Sequence, residues 1–187
     1  MERVGIVAFQ GDFARHAAVV SSLGALPIEV RTRGDLRLVD RLIIPGGEST
    51  TIGMLMEREE LITAVRSRME SGMPVFGTCA GMILLADEIL ESEQPRIGGL
   101  AITIRRNAYG RQIESFETVL RAPAISPRPL EAVFIRAPVV EAVNGRAQTL
   151  AEYEGHAVIV RQGSVLGAAF HPELTDDPAV HRYFLAL

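Results

Sequence analysis

Short apolar runs alternate with segments of helical periodicity in the first half of the chain. Four of these runs predict strands: VGIVAF (Val4–Phe9), LPIEVR (Leu26–Arg31), RLIIPGG (Arg41–Gly47) and MPVFG (Met73–Gly77). Three segments with apolar residues near helical spacing predict helices: Asp12–Gly24, Thr51–Glu70 and Ala80–Leu90. Such alternation with short connections predicts an α/β fold, in which a mostly parallel sheet is flanked by helices on both faces.

The second half of the chain has a different pattern. From about Gly98 to Arg161, β-branched runs alternate with turn residues, which predicts shorter, partly antiparallel strands that extend or flank the sheet. VLGAAFHPEL (Val165–Leu174) predicts the last strand and its corner, and DDPAVHRYFLAL predicts a terminal helix. Since no internal repeat or linker is visible, we expect one domain over residues 1–187.

Composition and charge narrow the range of partners. The net charge of −4, with no block of Lys or Arg, argues against a nucleic-acid partner. No run approaches the ~20 apolar residues of a membrane span, and the apolar stretch at the start is too short for a secretory signal. The single cysteine cannot form an internal disulfide, which suits a reducing compartment. We therefore expect a cytoplasmic protein that binds neither nucleic acid nor membrane.

The only cysteine, Cys79, lies in GTCAG (Gly77–Gly81), between a predicted strand and a predicted helix. This is the form of a nucleophile elbow, in which flanking glycines allow a tight and strained turn. Backbone N–H groups at the start of the next helix would lower the pKa of the thiol and stabilise an oxyanion. The alternative is a buried, unreactive cysteine that packs as a small apolar residue. The two glycines favour the nucleophile.

One of the four histidines is placed to act as the base that a thiol nucleophile needs. His171 follows an apolar strand, at the edge where Cys79 is expected, and Glu173 is close enough in sequence to accept from its far ring nitrogen. Together they predict a Cys–His–Glu triad. The other three histidines are expected to pack or to lie on the surface: His16, His156 and His181.

A third corner, IIPGGEST (Ile43–Thr50), follows the third predicted strand. A glycine pair there lets backbone N–H groups face an anion or a developing oxyanion. The alternative is a simple turn in which Ser49 or Thr50 caps the following helix, and both interpretations can hold together. Because ligands bind beyond the carboxyl ends of parallel strands, we expect this corner, FQGD and FGTCAG to lie along one edge of the sheet.

In this order and spacing, FGTCAG, HPE and PGGES resemble the class I, triad-type glutamine amidotransferase family. The resemblance extends from end to end to one branch of it, the glutaminase subunits of pyridoxal 5′-phosphate synthases. The motifs that carry it are GIVAFQGDFARH, PGGESTT, FGTCAGMILLA, RRNAYGRQ with ESFE, VFIRAP and FHPELTDD. The last four are the discriminating ones, because many amidotransferases share an elbow and HPE.

The resemblance implies a role for each matching residue. Cys79 would be the nucleophile, His171 the general base and acid, and Glu173 the carboxylate that orients it. The N–H groups of Gly47 and Ala80 would form the oxyanion hole. The implied glutamine site consists of Gly47, Glu48, Ser49, Arg106, Ile135 and Arg136. The α-carboxylate of glutamine needs a cation, and Arg106 and Arg136 are the candidates. The sequence alone does not distinguish these two from the other arginines of the chain.

The implied reaction is hydrolysis of L-glutamine to glutamate and ammonia, through a cysteinyl thioester and without a cofactor or metal. The implied partner is the synthase subunit that uses the ammonia to make pyridoxal 5′-phosphate.

Two alternative functions stay open. One is another enzyme with the same triad, such as a different synthase's glutaminase or a γ-glutamyl peptidase. The other is a redox-sensing or chaperone-like protein with an exposed elbow cysteine, which leaves HPE and the glycine corners without a role.

Overall fold

The computed structural model describes residues 1–106 and 115–187, and these residues form three sheets and the helices around them. The strands are β1 (Arg3–Val7), β2 (Leu26–Val30), β3 (Arg41–Ile44), β4 (Val75–Thr78), β5 (Ala86–Ile89), β6 (Leu100–Arg105), β7 (Ser115–Leu120), β8 (Leu130–Ile135), β9 (Val139–Val143), β10 (Gln148–Tyr153), β11 (His156–Gln162) and β12 (Val165–Ala168). The α-helices are α1 (Phe13–Ser22), α2 (Arg33–Leu36), α3 (Ser49–Arg58), α4 (Leu61–Glu70), α5 (Ala80–Leu85) and α6 (Ala179–Leu185). The motif RRNAYGRQ falls largely on residues 107–114, outside the described residues.

The central sheet has seven strands in the order β10-β11-β12-β4-β3-β1-β2. The five strands from β12 to β2 pair in parallel, and β10 and β11 extend this sheet as an antiparallel hairpin. Two smaller sheets flank it, with the orders β5-β6-β9 and β7-β8. The predicted α/β fold, with a mostly parallel sheet and additional antiparallel strands, is therefore confirmed.

The apolar runs become the core of the molecule. Every residue of β4 is buried, as expected for a central parallel strand covered on both faces. At the edge of the sheet, β2 leaves Leu26 45 % exposed.

Within residues 1–106 and 115–187, no helix combines the length and apolar character needed to cross a membrane.

The strand register brings the glycine corners together. Ile44 pairs with Gly77, and Thr78 pairs with Ala168, so the chain leaves β3, β4 and β12 side by side. The corner after β1 lies against the one after β3, since a Cβ on Gly11 would lie 1.8 Å from the carbonyl oxygen of Gly46. The expected edge is confirmed, and close backbone approach is the reason for glycine there.

The predicted helix over Thr51–Glu70 is wrong in one respect, because it is two helices. Glu60 has a left-handed φ of 57° between α3 and α4. A single helix of that length would extend ~30 Å, well beyond strands of four or five residues. The break keeps both halves on the sheet, and Met56 and Leu61 on either side of it are fully buried.

The predicted helix over Ala80–Leu90 is wrong beyond Leu85. Its last part, Ala86–Ile89, is strand β5 and pairs in parallel with β6. The apolar spacing there suits a helix or a strand, and the hydrogen bonds offered by β6 decide in favour of the strand. Strand β9 lies within the stretch where short, partly antiparallel strands are predicted; it follows a proline and pairs antiparallel with the other side of β6.

Candidate active site

Cys79 occupies a strained turn between β4 and α5. Its φ of 48° and ψ of −103° lie outside the regions that non-glycine residues prefer. Flanking glycines make this turn possible, because a Cβ on Gly81 would lie 2.0 Å from the carbonyl oxygen of Ile44, and one on Gly77 would lie 2.4 Å from Gly81 C. The Cys79 N–H donates to the Ala168 carbonyl over 2.8 Å, which ties the turn to β12. This is the geometry predicted for a nucleophile elbow.

A cavity of about 320 Å³ opens in front of Cys79. Eight of the predicted site residues line it: Gly47, Glu48, Ser49, Cys79, Arg106, Ile135, Arg136 and His171. Ala80 and Glu173 lie behind them, and both are buried. Two further lining residues were not predicted: Gln10, in the FQGD corner, and Ile83, on α5. The volume is within the range of small-molecule sites.

His171 and Glu173 form a hydrogen-bonded pair beside the cysteine. Glu173 lies in a short 3-10 helix, Pro172–Leu174, and its Oε1 accepts from His171 Nδ1 over 2.8 Å. Both His171 and Cys79 pack on Gly46, where an added Cβ would lie 2.4 Å from His171 Cε1 and 3.4 Å from Cys79 Cβ. The ring nitrogen left over, Nε2, is the one available to the thiol.

The charge state of His171 follows from these neighbours. Burial alone would lower its pKa, but hydrogen bonding and charge interaction with Cys79 and Glu173 outweigh burial and raise the pKa to about 10. These contacts therefore favour the protonated imidazole. A protonated ring beside a thiol stabilises the thiolate, which is the reactive form of cysteine.

The oxyanion-hole prediction rests on two backbone N–H groups. Ala80 is the first residue of α5, so its N–H has no acceptor within the helix. Gly47 lines the cavity with a φ of 148°, which a residue with a Cβ adopts only under strain. Beside it, the Glu48 N–H donates to Gln10 Oε1 over 3.0 Å, which links two of the glycine corners.

The two predicted arginines differ in how they are held. Arg106 donates to Thr50 Oγ1 over 2.9 Å, to Glu48 Oε1 over 3.2 Å and to Gln94 Oε1. Arg136 is exposed at the mouth of the cavity and has a left-handed φ of 43°. The structure therefore places one anchored and one exposed cation at the cavity.

Glu48, rather than Ser49 or Thr50, caps α3. Its carboxylate accepts from the N–H groups of Thr50 and Thr51 over 3.1 and 2.7 Å. Burial raises the pKa of Glu48, but these hydrogen bonds outweigh it and lower the pKa below the ordinary value. Ser49 is buried and donates to Gln94 Oε1 instead. Among the predicted glutamine-binding side chains, Glu48 and Ser49 are thus already engaged in holding α3 and Arg106.

A group of buried polar side chains behind Glu173 was not predicted to belong to the site. His16 Nε2 lies 3.4 Å from Glu173 Oε2, and His16 Nδ1 lies 2.9 Å from His181 Nε2. Both histidines were expected only to pack or to lie on the surface, and both are fully buried. Their helical positions gave no signal of this contact. Among residues 1–106 and 115–187, neither this group nor any other set of three or more His, Cys, Asp or Glu is placed to hold a metal ion.

Class I amidotransferases combine a mostly parallel sheet with a cysteine at a strand–helix corner, and this chain has both. Its sequence matches the model of the SNO glutamine amidotransferase family over residues 6–187, and the chain belongs to that family. A solved structure described as a glutamine amidotransferase is 48 % identical, with a TM-score of 0.94 over 98 % of this chain and 97 % of the other.

Two relatives carry a more specific name. The pyridoxal 5′-phosphate synthase subunit PdxT of Desulforudis audaxviator is 52 % identical over 99 % of this chain and 98 % of its own length. The protein of the same name from Moorella thermoacetica is 49 % identical over the same shares of the two chains. The chain is therefore similar to these subunits over their whole length.

Proposed function

We propose that the chain hydrolyses L-glutamine to glutamate and ammonia and passes the ammonia to a pyridoxal 5′-phosphate synthase. The observation that carries this proposal is the strained Cys79 beside the His171–Glu173 pair, at a cavity that also presents two arginines. The full-length similarity to subunits named PdxT supports the choice of synthase.

Glutamine binds with its α-carboxylate toward Arg136 and Arg106 and its side-chain amide toward Cys79. Arg106 is fixed by Glu48, Thr50 and Gln94, so it supplies a cation at a defined position. Arg136 is exposed and contributes its charge at the mouth. Fixing one end of the substrate aligns the amide with the thiol and removes much of the entropy cost of the reaction.

Formation of the thioester is the first chemical step. The Cys79 thiolate attacks the amide carbon, and the N–H groups of Gly47 and Ala80 hold the oxyanion that forms. His171 gives its proton to the departing nitrogen, so ammonia leaves and a glutamyl thioester remains on Cys79. Glu173 holds the imidazole in place through Nδ1.

Hydrolysis of the thioester completes the cycle. The now neutral His171 takes a proton from water, and the resulting hydroxide attacks the thioester carbonyl. The same N–H groups hold the second oxyanion. Glutamate leaves, and Cys79 and His171 return to the thiolate–imidazolium pair.

The partner and the location follow from the product. Ammonia is useful as a nucleophile only while unprotonated, so a sheltered path into a synthase subunit prevents its loss to solvent. A free cysteine nucleophile suits the reducing cytoplasm, where we place the reaction. With a net charge of −4 and no basic block, we expect no nucleic-acid or membrane partner.

An ammonia-release assay tests the proposal. The purified chain is given L-glutamine, alone or with a pyridoxal 5′-phosphate synthase subunit and the pentose phosphate and triose phosphate that such a subunit condenses with ammonia. Ammonia, glutamate and pyridoxal 5′-phosphate are then measured. We expect all three products in the mixture and no cleavage of γ-glutamyl peptides. Preferred cleavage of a γ-glutamyl peptide would favour the peptidase alternative. Reversible oxidation of Cys79 with no turnover in either mixture would favour the redox-sensing alternative.

A further inference from the structure

Three buried polar side chains lie directly behind Glu173, and the reaction proposed above does not use them. They are His16 on α1, Thr78 at the end of β4 and His181 on α6, all fully buried. His16 is central, because its Nδ1 is 2.9 Å from His181 Nε2 and its Nε2 is 3.2 Å from Thr78 Oγ1. That same Nε2 is 3.4 Å from Glu173 Oε2.

Glu173 has one carboxylate oxygen that needs a donor. Oε1 accepts from His171, whereas Oε2 is buried and makes no hydrogen bond of ordinary length to any described residue. A buried, unpaired carboxylate oxygen is costly. His16 Nε2 lies 3.4 Å from this oxygen, slightly beyond the usual N–H···O range, and is a ring nitrogen that can carry a proton.

His16 is neutral and therefore carries one ring proton. Burial is the main cause, followed by the nearby charges of His181 and His171, and together they hold the pKa of His16 well below its ordinary value of 6.5. The hydrogen-bond partners of the two ring nitrogens determine which of them carries the proton.

With the proton on Nε2, His16 faces Thr78 Oγ1 and Glu173 Oε2 as a donor, and its Nδ1 accepts from the N–H of His181. Only His181 Nδ1 then lacks a partner among the described residues, and it is a lone pair rather than an N–H. Thr78 Oγ1 shares the same N–H as a second acceptor, over 3.2 Å.

With the proton on Nδ1, two polar contacts in the same group are unfavourable. His16 then donates to His181 Nε2, so the proton of His181 must lie on Nδ1, where it is a buried N–H without an acceptor in the described chain. The lone pair of His16 Nε2 would accept from the Thr78 hydroxyl over 3.2 Å, but it would also face the Glu173 carboxylate and leave Oε2 without a donor. In a buried setting, an unsatisfied N–H and an unpaired carboxylate oxygen cost more than that one hydrogen bond gains, which favours the proton on Nε2.

We propose that His16 is a positioning residue of the reaction: its Nε2–H donates to Glu173 Oε2 and holds the carboxylate that orients His171. This inference rests on the proposed function. The hydrogen bonds run in one direction, from His181 to His16, from His16 to Glu173, and from His171 to the other oxygen of the same carboxylate. Both oxygens of Glu173 are then fixed, and the ring of His171 cannot turn away from Cys79.

The tautomer of His16 is the first test, and it requires no turnover. Nitrogen-15 NMR of the uniformly labelled full-length chain, with the His16 ring signals assigned through bonds from its own backbone amide, reports which ring nitrogen is protonated. We expect protonated Nε2 and unprotonated Nδ1. The reverse pattern, or a doubly protonated ring at neutral pH, overturns the proposal. Since this test uses the unaltered protein, it holds even where a His16 variant fails to fold.

Kinetics of two variants form the second test, measured in complex with the synthase subunit. His16→Leu keeps the volume but removes the donor, and we expect kcat to fall about 10-fold or more with KM nearly unchanged. His16→Gln carries an amide N–H near the position of Nε2, and we expect it to recover most of kcat. His156→Gln, at a partly exposed histidine whose ring faces the Val140 carbonyl, is the control and should keep the unaltered rate.

Three outcomes separate the possibilities. An active parent protein whose His16→Leu variant keeps kcat within about twofold overturns the positioning role. Equal losses in both His16 variants, accompanied by equal losses of thermal stability, indicate a structural role only and also overturn it. A parent protein that releases no ammonia overturns the proposed function instead, while the tautomer test still decides the contact between His16 and Glu173.

Discussion

At the scale of single residues, both carboxylate oxygens of Glu173 face a histidine. One of its oxygens accepts from His171 over 2.8 Å, and the other faces His16. A carboxylate held at both oxygens fixes the direction of the imidazole without taking its proton. In serine hydrolases the orienting carboxylate has the same role.

The first prediction compares Glu173 with His171. Glu173→Gln keeps an oxygen that can accept from His171 but loses the charge that stabilises the imidazolium, whereas His171→Ala removes the acid and base itself. We expect Glu173→Gln to retain a kcat roughly 100-fold above that of His171→Ala, by the scale of triad deletions. Steady-state ammonia release measures both, and equal and complete loss would give Glu173 a structural role as well.

At the scale of secondary-structure elements, the corners after β1, β3 and β4 build the site. Their meeting was predictable, because carboxyl ends of parallel strands lie at one edge. The break at Glu60 was not predictable from the sequence, because helical periodicity continues across it. Only the short length of the strands requires a turn there. The cap by Glu48 is not predictable from residue type, because Ser and Thr, which follow it at positions 49 and 50, are preferred N-cap residues and Glu is not.

The second prediction concerns the corner after β3. Gly47→Ala penalises the φ of 148°, and its Cβ would lie 3.1 Å from Ile52 Cδ1 and 3.2 Å from Gln10 Oε1. We expect the peptide to turn and the oxyanion hole to lose a donor, which costs ~10²–10³ in kcat.

A matched control exists for this substitution. Gly72→Ala introduces the same residue at a φ of 93°, with no atom within 4 Å of the new Cβ and far from the cavity. It should lower stability by a similar amount and leave kcat unchanged. Comparable kcat losses in both variants would show that Gly47 acts through stability alone.

The resemblance to a known family and the fold together locate the candidate site. They do not predict the buried side chains that lie behind it. The elbow glycines and HPE are local patterns, so Cys79, His171 and Glu173 were readable from the sequence. His16 and His181 are 165 residues apart along the chain. Their contact with the triad depends on how α1 and α6 pack beneath the sheet edge, and no local pattern encodes it. Gln94, which anchors Arg106, was missed for the same reason.

At the scale of the whole molecule, buried histidines link stability to pH. Burial lowers the pKa of His181 from 6.5 to about 4. Below pH 6.5 the unfolded chain takes up a proton there while the folded chain does not. The contribution of this residue is therefore complete above pH 6.5 and is lost as the pH falls to 4.

The third prediction follows from that window. The loss attributable to His181 amounts to about 3 kcal/mol of unfolding free energy across it. His181→Gln should lose less stability between pH 7 and pH 4 than the unaltered protein, as measured by denaturant unfolding at each pH. His156→Gln is the control and should follow the unaltered protein. Parallel curves for all three proteins would refute the assignment.

The fourth prediction concerns the partner. Unregulated hydrolysis would waste glutamine, so we expect the isolated chain to be a poor glutaminase that the synthase subunit activates. Docking at the sheet edge would favour the orientation of the Gly47 peptide that completes the oxyanion hole, worth ~10²–10³ in rate. Turnover measured alone and with the partner tests this. An isolated chain as fast as the complex would show that the corner is not a gate.

The central claim is that Cys79 carries the glutamyl group, and mass spectrometry of the peptide that contains Cys79 tests it most directly. The complex is mixed with glutamine, quenched in acid during turnover and digested, and the peptide containing Cys79 is examined. We predict the mass gain of one glutamyl group on that peptide, its loss on treatment with hydroxylamine, and neither adduct nor ammonia release in Cys79→Ala. Undiminished ammonia release by Cys79→Ala would contradict the account.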